Sequence, residues 1–397
     1  MAAKEVNAKR IFLMSCIALI VTSMTFAIRA RLEPVWESGF NLTAAQYGLA
    51  VGTAFWGFTL AQFVGGPFVD LIGMKRFVRI AFVLHACGIA ATIFAHDFWT
   101  LFAGTLLIGV GNGSVEAGCN PLVISLFPKD KTKMLNRFHV WFPGGMVIGS
   151  LISYLMIDML GLPWQMLVGV LAIPLIIYGV LLFGQTFPKT ERVEMGVSYG
   201  SMWKAILRPL FLIMLFCMLL SAATELSTSQ RITSLLEGTG VAPILVLAFI
   251  QGIMALGRGF AGPIVHRMKT NGMLFFSAIV SMIGLLLMSY VNGEFMTFAA
   301  AAVFAVGVCF FWPTMLGFLS ENIPESGALG LSIFGGAGML STSIFLPISG
   351  SWTDAGLTGQ EILRNTAIFP AILIVIFAIV FTVLRKKAKA KAAQINY

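Results

Sequence analysis

The segment GVGNGSVEAGCNPLVISLFP, from Gly109 to Pro128, decides how this chain is read. It is apolar and glycine-rich over the length of a bilayer-crossing helix, yet an acid, Glu116, stands in its middle. Asn112, Glu116 and Asn120 recur every four residues, so on a helix they form one polar stripe. A carboxylate at membrane depth costs roughly 2.5–3.5 kcal/mol on insertion scales unless it is neutralised or paired. Glu116 is therefore a functional candidate, and the segment predicts a helix of a membrane protein.

The rest of the composition agrees. Of the 397 residues 58% are hydrophobic and 11% charged, with a mean hydropathy of +0.90. This excludes soluble domains with polar surfaces and describes a polytopic chain whose partner is the lipid bilayer. The net charge of +9 is no nucleic-acid signature, because the basic residues sit in short clusters between apolar runs. Cys16, Cys87, Cys119, Cys217 and Cys309 fall one per apolar segment, without CxxC or histidines at metal-ligand spacing, so they read as packing residues and no metal or cofactor is expected. The apolar run from Ile11 lacks a small-residue cleavage site and reads as a signal anchor.

Windows of about 20 apolar residues, enough to cross about 30 Å of hydrocarbon, lie at 11–33, 44–66, 76–95, 98–126, 137–159, 163–185, 209–232, 241–263, 272–291, 295–318, 327–350 and 365–384. Lys and Arg cluster in alternate loops, around Lys9, Lys75, Lys131, Lys189, Lys204, Arg267 and the Arg385–Lys391 tail. By the positive-inside rule both termini face the cytoplasm of a cell inner membrane. The halves repeat: GGPFVD at Gly65–Asp70 returns as AGPIVH at Ala261–His266, and the same shift carries Gly111 and Pro128 onto Gly307 and Pro324. The expected architecture is all-α, with twelve membrane helices in two pseudo-symmetric six-helix bundles, 1–186 and 209–397, joined by a cytoplasmic linker, 187–208.

Within segment 1, Thr22, Thr25, Arg29 and Glu33 share a face, and Arg31 points about 200° away from Arg29. Arg29 is thus the candidate cavity-facing cation, against a simple Arg29–Glu33 surface pair, and Arg31 is expected to snorkel toward the interface near Trp36. The loop Gly66-x-x-x-Asp70-x-x-Gly73-x-Lys75-Arg76 resembles the helix 2–3 signature of the major facilitator superfamily, with Leu71 and Met74 in place of two basic residues. It marks Asp70, Gly73 and Lys75 as conformational-gating candidates. Glu116-x-x-x-Asn120-Pro121, followed by Leu135-Asn136-x-x-His139, resembles the fucose permease branch, as does Phe40-Asn-Leu42-Thr43-x-x-Gln46-x-Gly48. That resemblance implies proton:sugar symport, with Glu116 as the protonation site and His139 at a sugar-binding position. The branch's helix 1 aspartate falls on Ala30 and a sugar-binding asparagine on Phe142, so coupling through two acids is not implied.

Segment 7 carries Glu225, Ser229, Gln230 and Arg231, and segment 8 carries Gln251 and Arg258 on one face. Glu225 and Gln251 are substrate-site candidates or partners in an interhelical hydrogen bond; Arg258 is a gating cation. Trp312, after Phe310 and Phe311, offers an aromatic face for a sugar ring. His85 and His266 read as packing and loop residues, and the glycines at 109, 111 and 113 as close helix contacts rather than a nucleotide fingerprint, since no strand precedes them. No HExxH or GxSxG motif occurs, so an enzyme is not expected. The sequence thus predicts a monomeric transporter of a sugar or sugar-like solute coupled to protons through Glu116. Its alternatives are an organic-anion or sugar-acid carrier using Arg29, with Glu116 as the counter-ion of Arg29, and a multidrug exporter.

Overall fold

Polar caps start the helices. Asn7 accepts from the Arg10 amide at 3.0 Å, and Thr43 with Gln46, Asp97 with Thr100, and Thr358 with Glu361 cap reciprocally. At Gly73 the backbone takes φ +85°, which suits glycine, and this single residue separates two helices.

The computed structural model describes residues 6–128, 134, 137–189, 199–238 and 240–395. Among them eleven helices are long and apolar enough to cross a membrane and a twelfth apolar helix is shorter; in order they are α1 (Ala8–Gly39), α2 (Ala44–Ile72), α3 (Met74–Ile93), α4 (Phe98–Leu126), α5 (Arg137–Met159) and α6 (Trp164–Leu182). There follow α7 (Pro209–Gln230), α8 (Pro243–Gly259), α9 (Thr270–Met288), α10 (Glu294–Leu319), α11 (Ser332–Asp354) and α12 (Gly359–Leu384). Helix α8 is the shortest, at 17 residues; the window predicted over 241–263 stops at Gly259, where two glycines in three residues weaken the helix. The linker residues 190–198, Lys129–Lys133 and Asn136 lie outside the described residues, as do the side chains of Asp70, His266 and the Arg385–Lys391 tail.

Helices α1–α6 pack on one another, α7–α12 pack on one another, and the two sets meet along α1/α7, α2/α11 and α5/α8. An even number of crossings returns the chain to its starting end. We call that end terminal and the opposite end distal.

Glycine sets the helix spacing. A Cβ on Gly109 would strike the Ala54 backbone of α2, and one on Gly113 would lie 2.5 Å from the Phe58 carbonyl. Gly111 turns the other way, against the His85 ring of α3. Between α3 and α4 the close contacts recur 196 residues later between α9 and α10. Gly88 meets the Ile108 amide (2.7 Å) and Gly284 the Phe304 backbone; Gly111 meets His85 and Gly307 meets Ser281.

The distal end is shut. A Cβ at Gly48 of α2 would stand 2.6 Å from the Leu346 carbonyl of α11, and Gly350 abuts the Ala44 carbonyl. Asp354, at the end of α11, accepts from the Ala44 and Ala45 amides at 2.9 and 3.0 Å, so the second half caps a helix of the first. Gly109→Val is expected to destabilise the protein by about 1–3 kcal/mol through overpacking. Gly144→Ala, whose Cβ would meet nothing nearer than Trp141 at 3.9 Å, should leave the melting temperature in detergent unchanged.

Candidate functional site

Where the two sets of helices meet, Glu116 of α4, His139 and Phe142 of α5, Glu225 and Leu226 of α7, Arg258 of α8, Trp312 of α10 and Met339 of α11 line a small cavity. Two backbone irregularities shape it. Helix α7 widens into a π-helical turn over Ala223–Ser227, which carries Glu225; such turns inside α-helices concentrate at functional sites. Helix α10 is interrupted at Cys309–Phe310, between Glu294–Val308 and Phe311–Asn322. Pro313 has no N–H to give the Cys309 carbonyl, and Arg258 Nε donates to it instead at 3.1 Å. The same guanidinium presents Nη2 to Glu225 Oε1 at 3.5 Å.

Across the cavity the Glu116 carboxyl hydrogen-bonds the Asn120 side chain, and Asn120 Oδ1 lies 2.9 Å from His139 Nε2. The set is self-consistent with the His139 proton on Nε2: Asn120 Oδ1 accepts from it, and the Asn120 amide donates to the carboxylate. Among the described residues no ion pair holds Glu116.

Other predicted residues sit elsewhere. Asn112 is fully buried away from the cavity. Its Nδ2 donates to Thr25 Oγ1 at 3.1 Å, and its Oδ1 lies 2.9 Å from His85 Nε2. His85 Nδ1 is 3.2 Å from the Tyr178 hydroxyl, so this histidine is a hydrogen-bonded link between helices rather than an isolated packing residue. The predicted stripe splits because each four-residue step rotates about 40° past a full turn. Gln251 is buried on α8 outside the cavity lining; Glu225 is taken by Arg258, about two turns further along the same face.

Arg29 is a larger correction. It is 3% exposed and does not line the cavity. Nε reaches Gln230 Oε1 at 3.4 Å, the guanidinium lies 4.7 Å over Phe26 and 5.6 Å over Phe55, and Nη1 and Nη2 have no hydrogen-bond partner among the described residues. Phe26 meets Phe142 edge-on at 5.4 Å, so an aromatic layer stands between Arg29 and the cavity. Neither Glu116 nor Glu33 pairs with it. Arg31, expected to snorkel beside Trp36, instead binds Asp158 of α5 through two bonds of 2.9 and 2.7 Å. Lys75 is half-buried at the start of α3.

Glu33 belongs to a cluster that sequence reasoning missed. Arg231, just past α7, holds Glu33 of α1 at 2.9 Å, the side chains 1% and 0% exposed. Ser234 Oγ donates to the same carboxylate at 3.0 Å, and Arg231 Nη2 reaches Thr353 of α11 at 3.3 Å. Thr233 Oγ1 donates to the Ala30 carbonyl at 2.6 Å, and Gln230 Nε2 to the Phe26 carbonyl at 3.1 Å. Both charges were visible in the sequence, but no spacing joins residues 198 positions apart.

Residues 11–345 match the family model of the Major Facilitator Superfamily. The D-xylose transporter of Levilactobacillus brevis is 24% identical over 39% of this chain and 34% of its own length. The hexuronate transporter of Bacillus subtilis is 26% identical over 34% of this chain and 35% of its own length. The chain thus matches about a third of the length of each. Among solved structures, the fucose:proton symporter FucP of E. coli superposes with a TM-score of 0.67 at 16% identity, over 93% of this chain and 98% of that one.

Removing one partner of a buried ion pair costs about 3–5 kcal/mol, so Glu33→Gln is expected to favour a distal-open state. Alkylation of a cysteine placed at the buried Ser349 of α11 should then accelerate at least about tenfold. An unchanged rate would show that the Glu33–Arg231 pair does not hold the distal end shut.

Proposed function

The chain belongs to the major facilitator superfamily, and from that premise we propose that it carries a sugar or sugar-like solute across the membrane by alternating access, with Glu116 binding the coupled proton. Alternating access here is the rocking of α1–α6 against α7–α12 about the cavity between them. The observation that carries the reading is the state of Glu116. It faces the cavity at membrane depth, bonded to Asn120 and to no cation among the described residues. Such a carboxylate is inexpensive when protonated and costly when charged, so its proton occupancy favours different arrangements of the halves.

The cavity suits a small polar solute. Trp312 and Phe142 offer aromatic faces for the C–H side of a sugar ring. Asn120, His139, Glu116, Glu225 and Arg258 offer polar groups for its hydroxyls. Asp70, Gly73 and Lys75 belong to the terminal end, where a loop between α2 and α3 gates by meeting or leaving its neighbours. The clustering of Lys and Arg in alternate loops supports an inner-membrane location with a cytoplasmic terminal end.

The test is Glu116→Gln in proteoliposomes with labelled neutral hexoses. Exchange of labelled for unlabelled solute should persist, while accumulation driven by an inward proton gradient should fall at least about tenfold, as if about 1.4 kcal/mol or more of coupling were lost. Gradient-driven uptake that survives the substitution unaltered would remove Glu116 from the coupling step.

A further inference from the structure

Among the described residues three ion pairs join buried or half-buried side chains of different helices, and the one in the cavity is the loosest. Arg231–Glu33 is closed at 2.9 Å and sealed from solvent. Arg31–Asp158 is two-pronged, at 2.7 and 2.9 Å. Arg258–Glu225 is a single contact of 3.5 Å with the arginine 16% exposed, longer than the roughly 2.7–2.9 Å of a good charge-assisted bond. Arg258 is nevertheless held in place, because the Cys309 carbonyl freed by Pro313 fixes its Nε. A fixed guanidinium whose outer nitrogens meet, among the described residues, a loosely held carboxylate is a receptor already occupied by a stand-in.

We propose that Arg258 receives the carboxylate of an acidic, sugar-like solute, and that this solute displaces Glu225, which takes up one proton as it leaves. The inference rests on the proposed transport reading and narrows its substrate class. The solute carboxylate forms an ion pair with Arg258, the Glu225–Arg258 pair breaks, and a proton from the aqueous phase neutralises Glu225. One negative and one positive charge enter together, so the net charge of the site is unchanged. The proton is required because a carboxylate stripped of its cation in a low-dielectric site is far costlier than its neutral form.

Among the described residues no other cation pairs with Glu225. Facing it are Arg258 of α8 and, across the cavity, Glu116 of α4 and His139 of α5. Helix α10 brings Trp312 and the Cys309 thiol, which donates to the Met254 carbonyl at 3.6 Å. Helix α11 brings Met339, and among the described residues α12 sets no charge against the turn. Arg29 does not compete for the solute in this state, since Phe26 and Phe142 screen it.

The probes are galacturonate and its uncharged counterpart galactose, with binding to the purified full-length protein measured from pH 5.5 to 8. An acid that brings one extra proton weakens about tenfold more per pH unit than the neutral sugar on the alkaline side, whatever Glu116 contributes to both. Glu225→Gln should bind galacturonate without that additional slope, and Arg258→Lys should weaken galacturonate at least tenfold. Galacturonate bound alone, with a pH slope that Glu225→Gln abolishes, supports the proposal equally. Equal slopes for the two probes in the wild-type chain, or an undiminished slope in Glu225→Gln, overturn it. Binding of galactose but not galacturonate overturns this inference and leaves the sugar-transport reading standing; binding of neither overturns both.

Discussion

The ion pair between Glu33 and Arg231 is the contact on which the observed arrangement depends. Two full charges with almost no exposure stand 2.9 Å apart, one from each set of six helices. Neither is tolerable alone at that depth. A buried pair of this kind adds little net stability compared with apolar residues, but breaking it by removing one partner is expensive. Closure of the distal end is thereby made close to all-or-none. The neighbouring bonds follow from it: Thr233 to the Ala30 carbonyl, Gln230 to the Phe26 carbonyl, and Arg231 to Thr353. Glycines at 48 and 350 let α2 and α11 come close enough for Asp354 to cap α2.

Charge inside the membrane is therefore graded by how firmly it is paired. The distal pair is sealed, the cavity pair is open and long, and Glu116 has, among the described residues, an amide and no cation. Arg29 has stacked rings and a distant glutamine oxygen, with two nitrogens unsatisfied. The gradation follows position. Arg231–Glu33 and Arg31–Asp158, which hold helices together, are short, while Glu116 and the Glu225–Arg258 pair at the cavity are left with capacity to exchange partners. That is the ordering expected of a protein that must close firmly at one end and remain responsive at its centre. Arg29, buried outside the cavity, departs from that ordering.

Much of the fold was legible because it is written locally. Apolar length gave the helices, and capping residues such as Thr43 and Asp97 gave their starts. The shift of 196 residues that joins Gly111 to Gly307 reappears as matched contacts between α3 and α4 and between α9 and α10. The site was legible in part. Glu116, His139, Glu225, Arg258 and Trp312 line one cavity, Asn120 stands behind it bonded to His139, and Asn112, Arg29 and Gln251 do not line it. Helical period tells which residues share a face, but not which neighbour that face will meet. Asn112 is consumed by Thr25 and His85, and Glu33 by an arginine of the other half. The π-helical turn at Ala223–Ser227 left no sequence signal, since nothing in ATELS departs from an ordinary helix.

The prolines show how a local rule becomes a tertiary contact. Pro34 cannot donate to the Ala30 carbonyl, and Pro313 cannot donate to that of Cys309. In a bilayer an unsatisfied carbonyl costs several kcal/mol, so each needs a donor from elsewhere. Thr233 supplies one and Arg258 the other. In the first case the donor comes from the opposite half, so the distal seam gains a bond that exists only while the halves are together. In the second it comes from α8 of the same half, so the bond can persist whichever end is open and Arg258 keeps its place in the cavity. Two equivalent chemical defects thus serve different parts of the fold: one acceptor is bound across the two sets of helices, and the other holds a guanidinium in place within one set.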